Sequence, residues 1–182
     1  MNLPNKITLL RVILIPAFIA IYLIRPLPEI ANEWVALTLF VVAAITDALD
    51  GYLARKLKLV TNFGKLMDPL ADKMLVCAAF IAFTYVGHLH AWVTIVLISR
   101  EFYISGLRQL ALEQNIVLAA INSAKWKTGL QITLILFFLL PFPFSYLQIK
   151  PLEIIFIVST IAISIYSAAE YTYKTKSLFK SV

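Results

Sequence analysis

The sequence predicts an all-α integral membrane protein built as a bundle of six transmembrane helices, and three observations carry that prediction. Of the 182 residues, 61% are hydrophobic and 14% charged. Mean hydropathy is +0.86, and the apolar residues fall into six runs separated by charge, proline or glycine. A soluble domain carries about a quarter of its residues as Asp, Glu, Lys and Arg, so lipid must stand in for water around most of this chain. One spanning helix needs about 20 mainly apolar residues. Six of them with short connections use the whole length and leave a single membrane-embedded domain over residues 1–182.

The runs place the spans near 8–24, 34–56, 68–87, 91–112, 126–141 and 152–173. The first begins beside Lys6 and Arg11 with no small-residue cleavage site after it, so it reads as a retained helix, with Asn5 or Thr8 as its cap. Pro26 and Pro28 break the chain before the second. The third ends at Gly87, and His88 and His90 beyond it read as solvated loop residues. Pro141, Pro143 and Pro151 bound the connection from the fifth to the sixth. Trp34, Trp92 and Tyr146 read as interfacial aromatics, and the one cysteine, Cys77, reads as a packed, inert thiol.

Lysine and arginine resist translocation and collect on the cytoplasmic side. If six helices alternate, Lys6, Arg11, Arg55, Lys56, Lys58, Lys65, Arg100, Arg108, Lys125, Lys127, Lys174, Lys176 and Lys180 belong to one face, and only Arg25 and Lys150 to the other. Both termini are therefore expected in the cytoplasm of a multi-pass cell-membrane protein. The net charge of +6 makes the inner face basic, suited to anionic headgroups and phosphorylated substrates. Nucleic acid is a poor partner for it, because the basic residues are divided among helix ends that also hold acids, and no nucleic-acid module appears.

The most informative stretch holds Asp47, Asp50, Gly51, Ala54 and Arg55, then eight residues, then Gly64, Asp68 and Asp72. An aspartate at the bilayer centre costs about 2.5–3.5 kcal/mol on insertion scales, so four of them call for compensating charge or a wet cavity. Positions 47, 50, 51 and 54 fall on one face of a helix, as do 68 and 72. Packed helices lie about 8–10 Å apart, close enough for the carboxylates to meet. Oxygen-only ligands suit hard ions such as Mg2+ or Mn2+, and two such ions balance four carboxylates, the arrangement that clamps both oxygens of an in-line displacement at phosphorus. Gly51 and Gly64 let a sugar or phosphate approach the backbone, or let helices pack closely. Arg55 offers a fork for a diphosphate. A small cation or proton carrier is the alternative reading of intramembrane carboxylates, and Gly51, Arg55 and Gly64 argue against it.

These residues resemble the signature of the CDP-alcohol phosphotransferase family, D-x2-D-G-x2-A-R-x8-G-x3-D-x3-D, at every fixed position. The resemblance implies a six-helix membrane fold, usually a homodimer, with a two-metal site that opens to the cytoplasm and binds a CDP-linked donor. It implies Asp47, Asp50, Asp68 and Asp72 as metal ligands and Asp72 also as general base. By the same resemblance Gly51, Ala54, Arg55 and Gly64, with Asp47 and Asp50, contact the CDP moiety.

Further segments, Leu3 to Arg11, Ser99-Arg100-Glu101, Ser105 to Arg108, Lys125 to Thr128 and Glu170-Tyr171, resemble the family's bacterial phosphatidylglycerophosphate synthases. Ala124 stands where a glycine is expected. This likeness implies CDP-diacylglycerol as donor and glycerol 3-phosphate as acceptor, giving phosphatidylglycerol phosphate and CMP. Inositol 1-phosphate or serine are the alternative acceptors. Arg100, Arg108, Lys125 and Lys127 supply cations for a dianionic phosphate, with Arg11 directed inward to the same substrate and Glu101 orienting an arginine. The competing reading makes them snorkelling anchors.

Overall fold

The computed structural model describes residues 3–56, 62–114, 121–141 and 150–176, with side chains over 7–46, 70–71, 73–114, 121–141 and 150–176. The described residues form six helices and no strand: α1 Leu3–Ile24, α2 Glu29–Lys56, α3 Asn62–Tyr85, α4 Ala91–Glu113, α5 Asn122–Leu139 and α6 Lys150–Lys174. Each helix coincides with one of the six expected apolar runs, α3 and α5 ending two residues before it. α1, α2, α3 and α5 start about a turn earlier, because backbone hydrogen bonding continues into polar residues that hydropathy discounts. Glu29 in the first turn of α2 complements the positive end of the helix dipole. One correction follows: positions 5 and 8 lie inside α1 and so do not cap it, and Thr8 is buried.

Three segments among the described residues are long and apolar enough to cross a bilayer: Ile7–Ile24, Glu29–Thr46 and Lys150–Lys174. Lys73–Tyr85 is apolar but shorter. α4 and α5 carry charged residues within their length, including Arg100, Glu101, Arg108, Lys125 and Lys127, which lower their hydropathy.

The chain forms two compact units, Met1–His88 with Phe138–Phe142 and Leu89–Phe137 with Pro143–Val182. In the first, α1, α2 and α3 pack on one another around interlocked rings. Phe18 lies 5.9 Å from Tyr22 and 5.8 Å from Phe40, and Phe83 lies 5.5 Å from Tyr22 and 5.1 Å from Phe138. Buried Ala36, Ala43, Ala79 and Ala82 leave room for those rings. The turn from α1 to α2 is tied by Asn32, whose Nδ2 donates to the Ile21 carbonyl at 2.9 Å.

α3 ends in a Schellman motif. The His88 amide donates to the Phe83 carbonyl at 2.9 Å and the Gly87 amide to the Thr84 carbonyl at 3.2 Å, with Gly87 at φ +86°, where glycine alone pays no Cβ penalty. The Phe83 and His88 rings, 6.5 Å apart, supply the apolar contact of that motif. His88 is exposed, as a loop residue should be, while its ring also stacks on Phe138 at 5.3 Å.

In the second unit α4 packs on α6 about a small core of Ile104, Leu107 and Tyr171, against which Ile121, Ala124 and Ala168 lie. A methyl at position 124 therefore has packing to make there, where glycine was expected.

Candidate active site

Each helix of the first unit buries one stripe, and the signature positions continue those stripes in register. On α2 the buried residues are Asn32, Ala36, Phe40 and Ala43. At helical spacing the same line passes through positions 47, 50, 51 and 54, all inside the unbroken helix. On α3 Ala71, Leu75, Ala79 and Ala82 form one buried line, flanked by buried Phe80 and Phe83, and that line extends back through positions 64, 68 and 72. On α1 it runs through Thr8, Arg11, Ile15, Phe18 and Tyr22.

The direction of the helices puts these positions at one end of the unit. The Phe18–Phe40 and Tyr22–Phe83 contacts bring the C-terminal part of α1 together with the early part of α2 and the late part of α3. The start of α1, the end of α2 and the start of α3 therefore share the opposite end. Arg11 there is fully buried, and a guanidinium so placed demands anionic or hydrogen-bond acceptor partners. The side chains of Asp47, Asp50, Gly51, Ala54, Arg55, Gly64, Asp68 and Asp72 lie outside the described residues. Elsewhere, among the described side chains, no group of three or more His, Cys, Asp or Glu stands together.

The second unit holds a different assembly, centred on Glu101. One of its oxygens, Oε1, pairs with Lys127 Nζ of α5, accepts from Arg100 Nη1 at 3.3 Å and from Gln131 Nε2 at 3.5 Å. Arg100 and Lys127 are both buried, so two cations face one carboxylate and positive charge is left over. Arg100 Nη2 donates to Ser167 Oγ on α6 at 2.8 Å, while its Nε is buried with no hydrogen-bond partner among the described residues. A desolvated N–H of this kind favours an incoming acceptor.

Around this centre, Arg108 Nη2 donates to the Tyr171 hydroxyl, and the Arg108 guanidinium carbon lies 5.3 Å from the Tyr171 ring centroid. Glu170 accepts from Ser123 at 2.6 Å and from Lys174 at 2.8 Å. Arg100 of α4 and Lys127 of α5 are thus gathered by Glu101, and Arg108 of α4 is fixed through Tyr171 of α6, the helix that also carries Ser167. Lys125 is exposed beside Trp126, on a different face of α5 from Lys127.

Four features of this assembly escaped the sequence reading: Ser123, Gln131, Ser167 and the acceptor role of the Tyr171 hydroxyl. A signal existed for part of it. Thr160, Ser164, Ser167 and Tyr171 are the buried residues of α6, spaced i, i+4, i+7 and i+11, a polar stripe on an otherwise apolar helix.

The protein family described as CDP-alcohol phosphatidyltransferase matches residues 1–166. The chain is 48% identical over 141 residues to the CDP-diacylglycerol–glycerol-3-phosphate 3-phosphatidyltransferase of Bacillus subtilis, covering 72% of each chain. It is 44% identical over 137 residues to the protein of that name from Haemophilus influenzae, covering 71% of each. With the one from Rickettsia typhi the identity is 41% over 130 residues, again covering 71% of each.

Proposed function

This chain belongs to the CDP-alcohol phosphatidyltransferase family, and we propose that within it the chain transfers a phosphatidyl group from CDP-diacylglycerol to glycerol 3-phosphate, releasing CMP. Relatives 41–48% identical carry that enzyme name. The observation that carries the reading is the register of the first unit: the inward stripes of α2 and α3 run through all four aspartate positions at the end where Arg11 is buried.

The oxygen-only donor set on two packed helices fits divalent ions of the Mg2+ or Mn2+ class. Asp47, Asp50, Asp68 and Asp72 would hold two of them, which would supply charge stabilisation to the phosphoryl oxygens. Asp72 also takes the proton from the 1-hydroxyl of glycerol 3-phosphate as its oxygen attacks the β-phosphorus. Gly51, Ala54 and Gly64 give the cytidine diphosphate close approach to the backbone, and Arg55 grips its phosphates. Arg100, Arg108, Lys127 and Lys125, with Arg11, bind the acceptor's phosphate, and Glu101 spaces Arg100 and Lys127.

All six helices cross the bilayer in this reading, residues 1–182 act as one membrane-embedded domain, both termini are cytoplasmic and the enzyme is a homodimer. The charges that depress the hydropathy of α4 are compatible with crossing because Arg100 is buried inside the protein, while Trp92, Ile95 and Phe102 are exposed.

The test is an assay of the purified chain in lipid nanodiscs with CDP-diacylglycerol, Mg2+ and, in separate reactions, labelled glycerol 3-phosphate, inositol 1-phosphate and serine. Incorporation of glycerol 3-phosphate with stoichiometric CMP release is expected. Incorporation of another acceptor in its place would reassign the substrate.

A further inference from the structure

The polar assembly of the second unit holds one uncharged amide among its ions. Gln131 is 2% exposed and lies one turn before buried Leu134 and Ile135 on α5. An amide buried in apolar surroundings costs free energy unless its polar atoms are bonded, and this one is held loosely. Its Nε2 stands 3.5 Å from Glu101 Oε1, outside the usual range of about 2.7–3.2 Å. That oxygen is already engaged by Lys127 Nζ and Arg100 Nη1. Among the described residues, no donor reaches Gln131 Oε1.

Helix periodicity fixes where the amide stands. Gln131 follows Lys127 by four residues, so the two share a face of α5 about 6 Å apart along its axis. Both meet the same carboxylate oxygen of α4. Three cations, Arg100, Arg108 and Lys127, against the one carboxylate of Glu101 leave two positive charges in excess. That surplus matches a phosphate monoester, which carries a charge of about −1.5 to −2 at pH 7.

Glycerol 3-phosphate has three polar groups. In the proposed reaction its phosphate belongs to these cations and its 1-hydroxyl to Asp72, which leaves the 2-hydroxyl. The carbon bearing that hydroxyl adjoins the one bearing the phosphate, so its partner must stand within about one helical turn of the cations. A hydroxyl both donates and accepts. Lysine and arginine only donate and a carboxylate only accepts, whereas an amide does both. The hydroxyls of Ser167 and Tyr171 are already committed to Arg100 and Arg108. Gln131 has the right chemistry at the right distance.

We infer that Gln131 is a specificity-determining residue that binds the 2-hydroxyl of the acceptor, its Oε1 accepting from that group and its Nε2 donating to it. The inference rests on the proposed acceptor and goes beyond it by naming the side chain that distinguishes this alcohol from a phosphorylated alcohol without the second hydroxyl. A site built to bond a hydroxyl rejects the analogue lacking it, because its own buried polar atoms are then left unpaired.

The test compares glycerol 3-phosphate with 3-hydroxypropyl phosphate, which keeps the phosphate and the attacking hydroxyl and lacks only the 2-hydroxyl. The full chain in nanodiscs is supplied with CDP-diacylglycerol and Mg2+, and kcat/KM is read from CMP release. Wild type should prefer glycerol 3-phosphate by about tenfold or more. Gln131→Met keeps the length of the side chain and removes both polar atoms, and the preference should shrink to about twofold or less. Gln131→Leu repeats the measurement should Gln131→Met fail to fold.

A preference in the variant as large as in wild type would overturn the assignment whatever the absolute loss, because an amide that only holds helices together affects both acceptors alike. Absence of a preference in wild type would overturn it without any variant. Transfer by wild type to inositol 1-phosphate or serine and to neither of these two acceptors would remove the proposed acceptor, and the assignment with it. Transfer to both with an unchanged ratio removes the assignment alone.

Discussion

The two units bury different things. α1, α2 and α3 close on stacked and tilted rings from Phe18, Tyr22, Phe40, Phe83 and Phe138, with alanines between them. α4, α5 and α6 close on ion pairs and hydroxyls: Glu101 with Lys127 and Arg100, Arg100 with Ser167, Arg108 with Tyr171, and Ser123 with Glu170. In a bilayer, lipid tails are as apolar as leucine, so helices associate through close packing and hydrogen bonds and not through expulsion of water. The first unit uses the one means and the second the other. The contrast suits the proposed division of labour, in which the first unit holds the aspartate face and the polar second unit presents positive charge to the acceptor.

The largest effect should come from the first unit's polar end. Asp72→Asn is expected to lower kcat about 1,000-fold, the scale of a lost general base, with the KM for glycerol 3-phosphate little changed; CMP release at saturating substrate measures it. Lys127→Met in the second unit should do the reverse, raising that KM about 100-fold, since truncating one partner of a buried charge pair costs about 2–5 kcal/mol. A matching loss in kcat alone would break the division. Combining Lys127→Met with Glu101→Gln should give a smaller loss than the sum of the two, because the variants remove the same pair.

Phe83→Leu tests packing and nothing else. It should destabilise the first unit by about 1–3 kcal/mol through lost ring contacts, read as a lower Tm with substrate KM values intact. The smallest change is expected from Ser167→Ala. Arg100 loses one buried hydrogen bond, worth about 1 kcal/mol, so the KM for glycerol 3-phosphate should rise about fivefold.

Much of this contrast is written in the sequence, and the part that is not has a physical reason. The six helices are readable because apolar runs of spanning length alternate with proline, glycine and charge. Their starts are not, because residues such as Glu29 and Asn32 extend a helix that hydropathy has already ended. The aspartate face is legible from i, i+3, i+4 and i+7 spacing alone, and the buried stripes ending at Ala43 and starting at Ala71 run directly into it.

Glu101 was readable as a neighbour of Arg100. Its hold on Lys127 and Gln131, thirty residues along the chain in the latter case, depends on how α5 docks and has no local signal. Ser167 and Tyr171 sit between these extremes, since their stripe is periodic but their partners are set by packing.

The central claim is that carboxylates from α2 and α3 serve one divalent-ion site. Mn2+ titration of the purified protein, followed by electron paramagnetic resonance, tests it most directly when wild type is compared with Asp50→Asn on α2 and Asp68→Asn on α3. Wild type should bind two ions per chain with the spin coupling of a close pair, and each substitution alone should abolish that coupling. Retention of the coupled signal in either variant would contradict a site shared between the two helices.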